Sequence, residues 1–230
     1  MACSQFGSDL GQVIAISTAV PDSLEEYDTL TPQAVALNGA GDPVPATILW
    51  ASLDTVLTVL DDATGRTVVS HPGLMGRLEA RVGTLPSNPL SIRALAAADT
   101  LFATGPVVDT VTLSDATPPD SLSTSLSVEL ADTVTTPSPA LVPLVGRPVV
   151  YAITYPPAPG MGSVTLVTDD TARALVTVDT VKTNGLGVAS MKVRLLADAL
   201  PDSIVVTASA RRAVGTPVPD SVTFVVRFQP

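Results

Sequence analysis

The sequence predicts an all-β protein made of two tandem antiparallel β-sandwiches, and three observations carry that expectation. Apolar and polar residues alternate with a period of two in segment after segment, as strands with one buried face require. Such segments recur about every 8 to 15 residues, separated by Gly, Pro, Asp and Asn, the spacing of antiparallel sandwiches. Val and Thr fill 60 of the 230 positions (32 and 28), whereas the helix formers Glu and Lys number only 4 and 2. With 46% hydrophobic residues the chain is also too apolar for a disordered tail.

The elements follow in order. Segments 13–19, 34–38, 47–51 and 56–60 read as strands of a first domain. Next, Leu78, Ala80 and Val82 alternate with Arg77, Glu79 and Arg81, and segment 90–94 follows. Further on, Leu126, Val128 and Leu130 form an inward row against Ser127 and Glu129. The clearest alternation sets Ala189, Met191, Val193 and Leu195 against Ser190, Lys192 and Arg194. Ile204, Val206, Ala208 and Ala210 give another row, and Val222, Phe224, Val226 and Phe228 a last one. One weak helical candidate spans 92–102 with its alanines, but it has no convincing cap.

Pro-Asp-Ser followed by an aliphatic residue occurs at Pro21, Pro119, Pro201 and Pro219. Proline fixes φ, Asp and Ser hydrogen-bond nearby backbone, and the aliphatic residue opens a strand, so a turn-then-strand device explains all four copies. Alternation lapses over 96–106, where Gly105-Pro106 punctuates the chain. The expected division is a tether of residues 1–11, a sandwich over 12–104 and a second over 105–230. Proline-rich stretches at 117–120 and 156–160 read as a break within the second domain and an exposed loop.

A net charge of −10 argues against nucleic-acid binding, and the twelve basic residues are scattered, with Arg211-Arg212 the one adjacent pair. No run approaches the ~18 apolar residues of a membrane-spanning helix. The single cysteine, Cys3, cannot form an internal disulfide. Met1-Ala2-Cys3-Ser4 resembles the end of a bacterial lipobox, without the basic and apolar regions of a signal peptide before it. A lipid anchor at Cys3 and a plain terminal thiol stand as equal readings.

In the first domain, Trp50-Ala51-Ser52-Leu53-Asp54 precedes Asp62-Ala63-Thr64-Gly65-Arg66-Thr67-Val68 and then Pro72-Gly73. This pattern, over 33–82, resembles the bacterial immunoglobulin-like domain of adhesins and other extracytoplasmic proteins. In the second, Val145-Gly146-Arg147-Pro148-Val149-Val150-Tyr151 is similar to the opening strand of a neighbouring group in that superfamily. Thr183-Asn184-Gly185-Leu186-Gly187-Val188-Ala189 resembles that group's turn before an alternating strand, so this match covers 144–210. The chain departs from it around 156–161 and in strands added after Pro219. The resemblance implies two tandem immunoglobulin-like β-sandwiches in which the tryptophan is core and the glycines and aspartates form turns. It encodes a fold and not a reaction.

The catalytic inventory is thin. His71, the one histidine, lies in Ser70-His71-Pro72-Gly73, the turn after a strand, and adjacency to Ser70 does not make a triad. Cys3 is too remote for a Cys-His dyad, and a zinc site needs three or four Cys or His ligands. No cofactor is expected. Calcium is the one metal for which oxygen ligands are paired, at Asp61-Asp62 and Asp169-Asp170, and neither pair sits in a D-x-D-x-D-G loop. A glycosidase would bring an aromatic-lined cleft, and the chain holds eight aromatics, of which Trp50 and Phe224 read as core. No phosphate-cradling or G-x-S-x-G motif is present.

The expected function is therefore non-enzymatic: an extracytoplasmic structural or docking protein with other protein subunits as partners, held at a membrane surface if Cys3 is acylated. No nucleic acid or small-molecule substrate is expected. The leading setting is a membrane-extrinsic subunit of a larger complex, a bacterial photosynthetic reaction-centre assembly being one case. A cell-surface adhesin or envelope spacer is the alternative. The short two-domain length favours the first, because adhesins string many repeats together. A carbohydrate-binding module is a further alternative that would need exposed aromatics, with Tyr151, Tyr155 and Tyr27 as candidates.

Overall fold

In the computed structural model the alternating segments are strands. The structure describes residues 11–112, 121–134, 139–156, 164–168, 174–196 and 201–229, and every regular element among them is a β-strand. Two compact units result, Met1–Ala96 and Ala97–Pro230.

In the first unit, β1 (Ala15–Ala19) pairs with β4 (Gln33–Leu37). A second sheet runs in the order β2 (Ser23–Glu25), β10 (Leu90–Leu95), β8 (Met75–Val82) and β5 (Leu49–Ser52), with β9 (Leu85–Pro86) paired to β8. The third joins β3 (Thr29–Leu30), β7 (Arg66–Val69) and β6 (Leu57–Asp61). Leu24, Trp50 and Leu78 from the second sheet meet Leu30, Leu57 and Val69 from the third in one core. Burying each such side chain stabilises the unit by about 1.5–3 kcal/mol.

The second unit is a sandwich of two five-stranded sheets. One runs β11 (Thr100–Ala103), β13 (Leu126–Val134), β18 (Val188–Leu195) and β16 (Val164–Val167), with β14 (Ala140–Pro143) on β13. The other runs β12 (Val108–Thr112), β20 (Val222–Gln229), β19 (Ser203–Ala210), β15 (Pro148–Tyr155) and β17 (Val178–Lys182). The inward rows lie where alternation places them: Met191 and Val193 are fully buried, as are Ile204, Val206, Phe224 and Val226.

Three of the four Pro-Asp-Ser copies open strands, entering β2 at Ser23, β19 at Ser203 and β20 at Val222. Pro119 and Asp120 lie outside the described residues.

Several expectations are corrected. Segment 92–102 is not helical: β10 and β11 occupy it, because Ile92 and Ala94 bury on the core side while β10 pairs with β8, and pairing overrides alanine's preference. The two units divide between Ala96 and Ala97, at the start of the 96–106 stretch, and Thr100–Ala103 pairs with Ala131–Val128 of the second unit. Two pairings are parallel, β2 with β10 and β12 with β20, where an early strand of each unit returns to its last. Arg194 does not face solvent: it is 4% exposed, lying opposite Thr165 of β16 and bridged to Leu122. Glu79 is also buried, paired with Arg81 on the same strand.

Candidate functional site

The first-domain motif folds into two interlocked turns. Ser52 Oγ donates to the Asp54 carbonyl at 2.7 Å, and Asp54 Oδ1 accepts the Val56 N–H at 3.1 Å. Asp54 Oδ2 accepts the Arg77 N–H at 3.0 Å and lies 3.4 Å from the Arg77 Nε. In the hairpin between β6 and β7, Asp61 Oδ1 accepts the N–H groups of Ala63 and Thr64 at 3.0 and 3.3 Å. The Thr64 N–H, and next its hydroxyl, hold the exposed Asp61 carboxyl below its ordinary range. Gly65 follows at φ +72°, packed on Trp50, which is 5% exposed.

Ser70 and His71 do not face each other through a shared hydrogen bond. The Ser70 hydroxyl pairs across the hairpin with that of Thr58 at 2.6 Å, while the exposed His71 places Nδ1 2.8 Å from the Thr55 carbonyl. That carbonyl only accepts, so Nδ1 carries the proton and donates. Both groups fasten the same turn.

Asp61 serves its turn; Asp169 and Asp170 lie outside the described residues, as do Cys3 and residues 157–161 of the proline-rich stretch. Among the described residues no group of three or more His, Cys, Asp or Glu side chains gathers as a metal would need.

Tyr151 is corrected as a glycan-facing aromatic: it is 0% exposed. From β15 its hydroxyl crosses to the opposite sheet, 2.8 Å from the Ala189 carbonyl of β18 and 3.1 Å from the Leu126 carbonyl of β13. Burial pushes its pKa well above the usual tyrosine value. Tyr27 and Tyr155 are exposed, at 71% and 55%, and belong to different units. Tyr27 sits at φ 68° in the turn after β2.

The two halves of the second-domain motif meet. The buried Thr183 hydroxyl donates to the Leu144 carbonyl and accepts the Arg147 N–H at 2.9 Å. Asn184 Oδ1 accepts the N–H groups of Leu186 and Val188, closing the turn into β18. Alternation alone does not identify the sheet-to-sheet tie at Tyr151 or this Thr183 lock; for the lock, a threonine before an Asn-Gly turn is the signal the chain offers.

An open hollow of about 520 Å³ lies beside Trp50, between Pro32, Ala34, Ile48, Ala63 and Thr64. Among the described residues no titratable side chain lines it, so these offer no acid or base there. Beside it, β1 is a short, uncharged strand, Ala15-Ile16-Ser17-Thr18-Ala19, with Ala15, Ser17 and Ala19 exposed.

No protein-family model matches this chain, and no curated protein matches it in sequence. Among solved structures it is similar to the Yersinia pseudotuberculosis adhesin InvE, at 19% identity and a TM-score of 0.33, over 95% of this chain and 61% of that one. Similarity to domains 4 and 5 of the surface-layer protein SbsC is at 12% identity and 0.34, over 94% of this chain and all of that one. Cadherin-like domains 1 to 4 of zebrafish RET give 13% and 0.35, over 91% of this chain and 47% of that one. The chain thus spans less than two thirds of the adhesin. Overlaps this loose add nothing to the all-β fold that the strand pairings define.

Proposed function

We propose that the chain is a non-enzymatic extracytoplasmic docking or spacer protein, built of two sandwich units of immunoglobulin-like character, whose partners are other proteins. The observation that carries this reading is the uncharged outer edge of β1. Among the described residues β1 pairs with β4 alone, and neither charge nor proline interrupts Ala15–Ala19. An edge of this kind can take a partner strand through backbone hydrogen bonds. The side chains that chemistry would need point the same way, since Ser70, His71, Asp54 and Asp61 are engaged in turns. Acylation of Cys3 would hold such a protein at a membrane as an extrinsic subunit.

Purified from native membranes with its N-terminus intact, the chain is expected to carry a stoichiometric protein partner. A photo-crosslinking side chain at Ser17 should capture that partner, and the same group at Lys182 should not. A chain that always elutes alone would end the docking reading. A reproducible hydrolase activity abolished by His71→Ala would end the non-enzymatic one, and mass spectrometry of Cys3 decides the anchor.

A further inference from the structure

The two outer strands of the β12-β20-β19-β15-β17 sheet carry the same four residues, Val108-Asp109-Thr110-Val111 in β12 and Val178-Asp179-Thr180-Val181 in β17. In each, the aspartate accepts the N–H of the threonine after it: Thr110 to Asp109 Oδ1 at 2.9 Å, and Thr180 to Asp179 Oδ1 at 2.7 Å. The register identifies these N–H groups. Val225 donates to the Val107 carbonyl, so Val107, Asp109 and Val111 turn their backbone groups toward β20 and Thr110 turns away. Ile153 donates to the Thr177 carbonyl, so Thr177, Asp179 and Val181 face β15 and Thr180 faces out. Each carboxylate therefore fills the outward donor at the middle of an edge strand.

An outward N–H is what an incoming strand pairs with. A carboxylate there occupies the donor and puts negative charge where the incoming carbonyl oxygen would sit. At β12 the closure goes further, because Asp109 Oδ2 accepts the Thr124 N–H at 2.8 Å and Ser121 Oγ donates to the Thr112 carbonyl at 3.4 Å. At β17, Asp179 acts with the exposed ends Val178 and Lys182 on either side.

We propose that Asp109 and Asp179 are edge guards that keep this sheet from pairing with a second copy of this chain. A second copy is the occupant the geometry favours: two β17 strands can meet antiparallel about a twofold axis, Thr180 opposite Thr180 and Val178 opposite Lys182. The central rung of that ladder is the one Asp179 blocks. Among the described residues β1 carries no such guard, which leaves it an edge open to a different partner.

Sedimentation equilibrium tests this. Asp179→Ala should self-associate about tenfold more tightly than the unaltered chain, and Asp179→Asn, which keeps the Oδ1 acceptor, should not. A folded Asp179→Ala that associates no more than the unaltered chain overturns the proposal, as does an Asp179→Asn that associates as tightly as Asp179→Ala. Should the alanine variant fail to fold, amide hydrogen exchange on the unaltered chain decides. Thr180 should exchange about tenfold more slowly than its outward neighbours Val178 and Lys182, and equal rates overturn the guard.

Discussion

Gly65 lies against the indole of Trp50: a Cβ built on Gly65 would fall 2.7 Å from Cδ1 and Cγ of Trp50 and 2.7 Å from Cγ of Pro32. Gly65 also has φ +72°, a conformation other residues adopt at a cost. The hairpin of β6 and β7 can thus seal the tryptophan only through a residue with no side chain. Gly65→Ala should therefore destabilise the first unit by about 2–4 kcal/mol, the strained backbone and the overpacked indole adding. Trp50 is the one tryptophan in the chain, so urea unfolding followed by its fluorescence reads the first unit alone. An unmoved midpoint would refute the packing.

Tyr151 is the corresponding point in the second unit. Its hydroxyl has one proton and two carbonyls, Leu126 and Ala189, on paired strands of the opposite sheet. Tyr151→Phe keeps the ring and should cost about 1–3 kcal/mol, read as a shift in the circular-dichroism transition while Trp50 fluorescence stays unmoved. A pH signature accompanies it. Burial raises the folded-state pKa above the ordinary 10.0, so the unfolded chain loses this proton first. Stability from Tyr151 is then complete below 10.0 and falls as the pH rises beyond it, and Tyr151→Phe should abolish that fall.

These two sites mark how far the sequence is legible. The rows of β18, β19 and β20 are plain because one buried face imposes a period of two, and the Gly65 motif is readable because only glycine suits its turn. β16 escaped because all four of its residues, Val164 to Val167, are buried and no alternation survives. β11 hid behind an alanine run, and the parallel pairing of β2 with β10 joins residues far apart in the chain, which no local pattern encodes. Tyr151 reads from the chain as a candidate exposed aromatic, because the carbonyls its hydroxyl reaches belong to strands that only folding brings near. The repeated Val-Asp-Thr-Val could be read from the chain; its meaning depends on both copies being edge strands.

Asp61 gives a prediction at acid pH. The N–H of Thr64, then its hydroxyl, stabilise the carboxylate and lower its folded-state pKa below the ordinary 3.8. The sign is opposite to that of Tyr151: the contribution is present above 3.8 and lost as the pH falls through the folded value. Carbon-detected NMR should place the Asp61 midpoint below 3.8, and Asp61→Asn should flatten the acid limb of the Trp50 unfolding midpoint. A midpoint at or above the ordinary value would mean the Asp61–Thr64 turn does not persist in solution.

Thr183 offers the sharpest separation of shape from hydrogen bonding. Its buried hydroxyl serves the Leu144 carbonyl and the Arg147 N–H, tying the entrance of β15 to the exit of β17. Backbone bonds run beside it, from Gly146 N–H to the Thr183 carbonyl and from Thr183 N–H to the Arg147 carbonyl, both at 2.9 Å. Thr183→Val keeps the volume and removes the hydroxyl, leaving a half-buried donor and a buried acceptor unserved, at a cost of about 1–3 kcal/mol. Thr183→Ser keeps the hydroxyl and loses one methyl, for about 0.8 kcal/mol. The valine variant should thus be the less stable of the two although it is the closer in shape. Hydrogen exchange locates the effect: the Arg147 amide should stay protected with threonine or serine at 183 and open with valine. Equal losses in the two variants would assign Thr183 to packing, and the lock between the two motif halves would then rest on the backbone bonds alone.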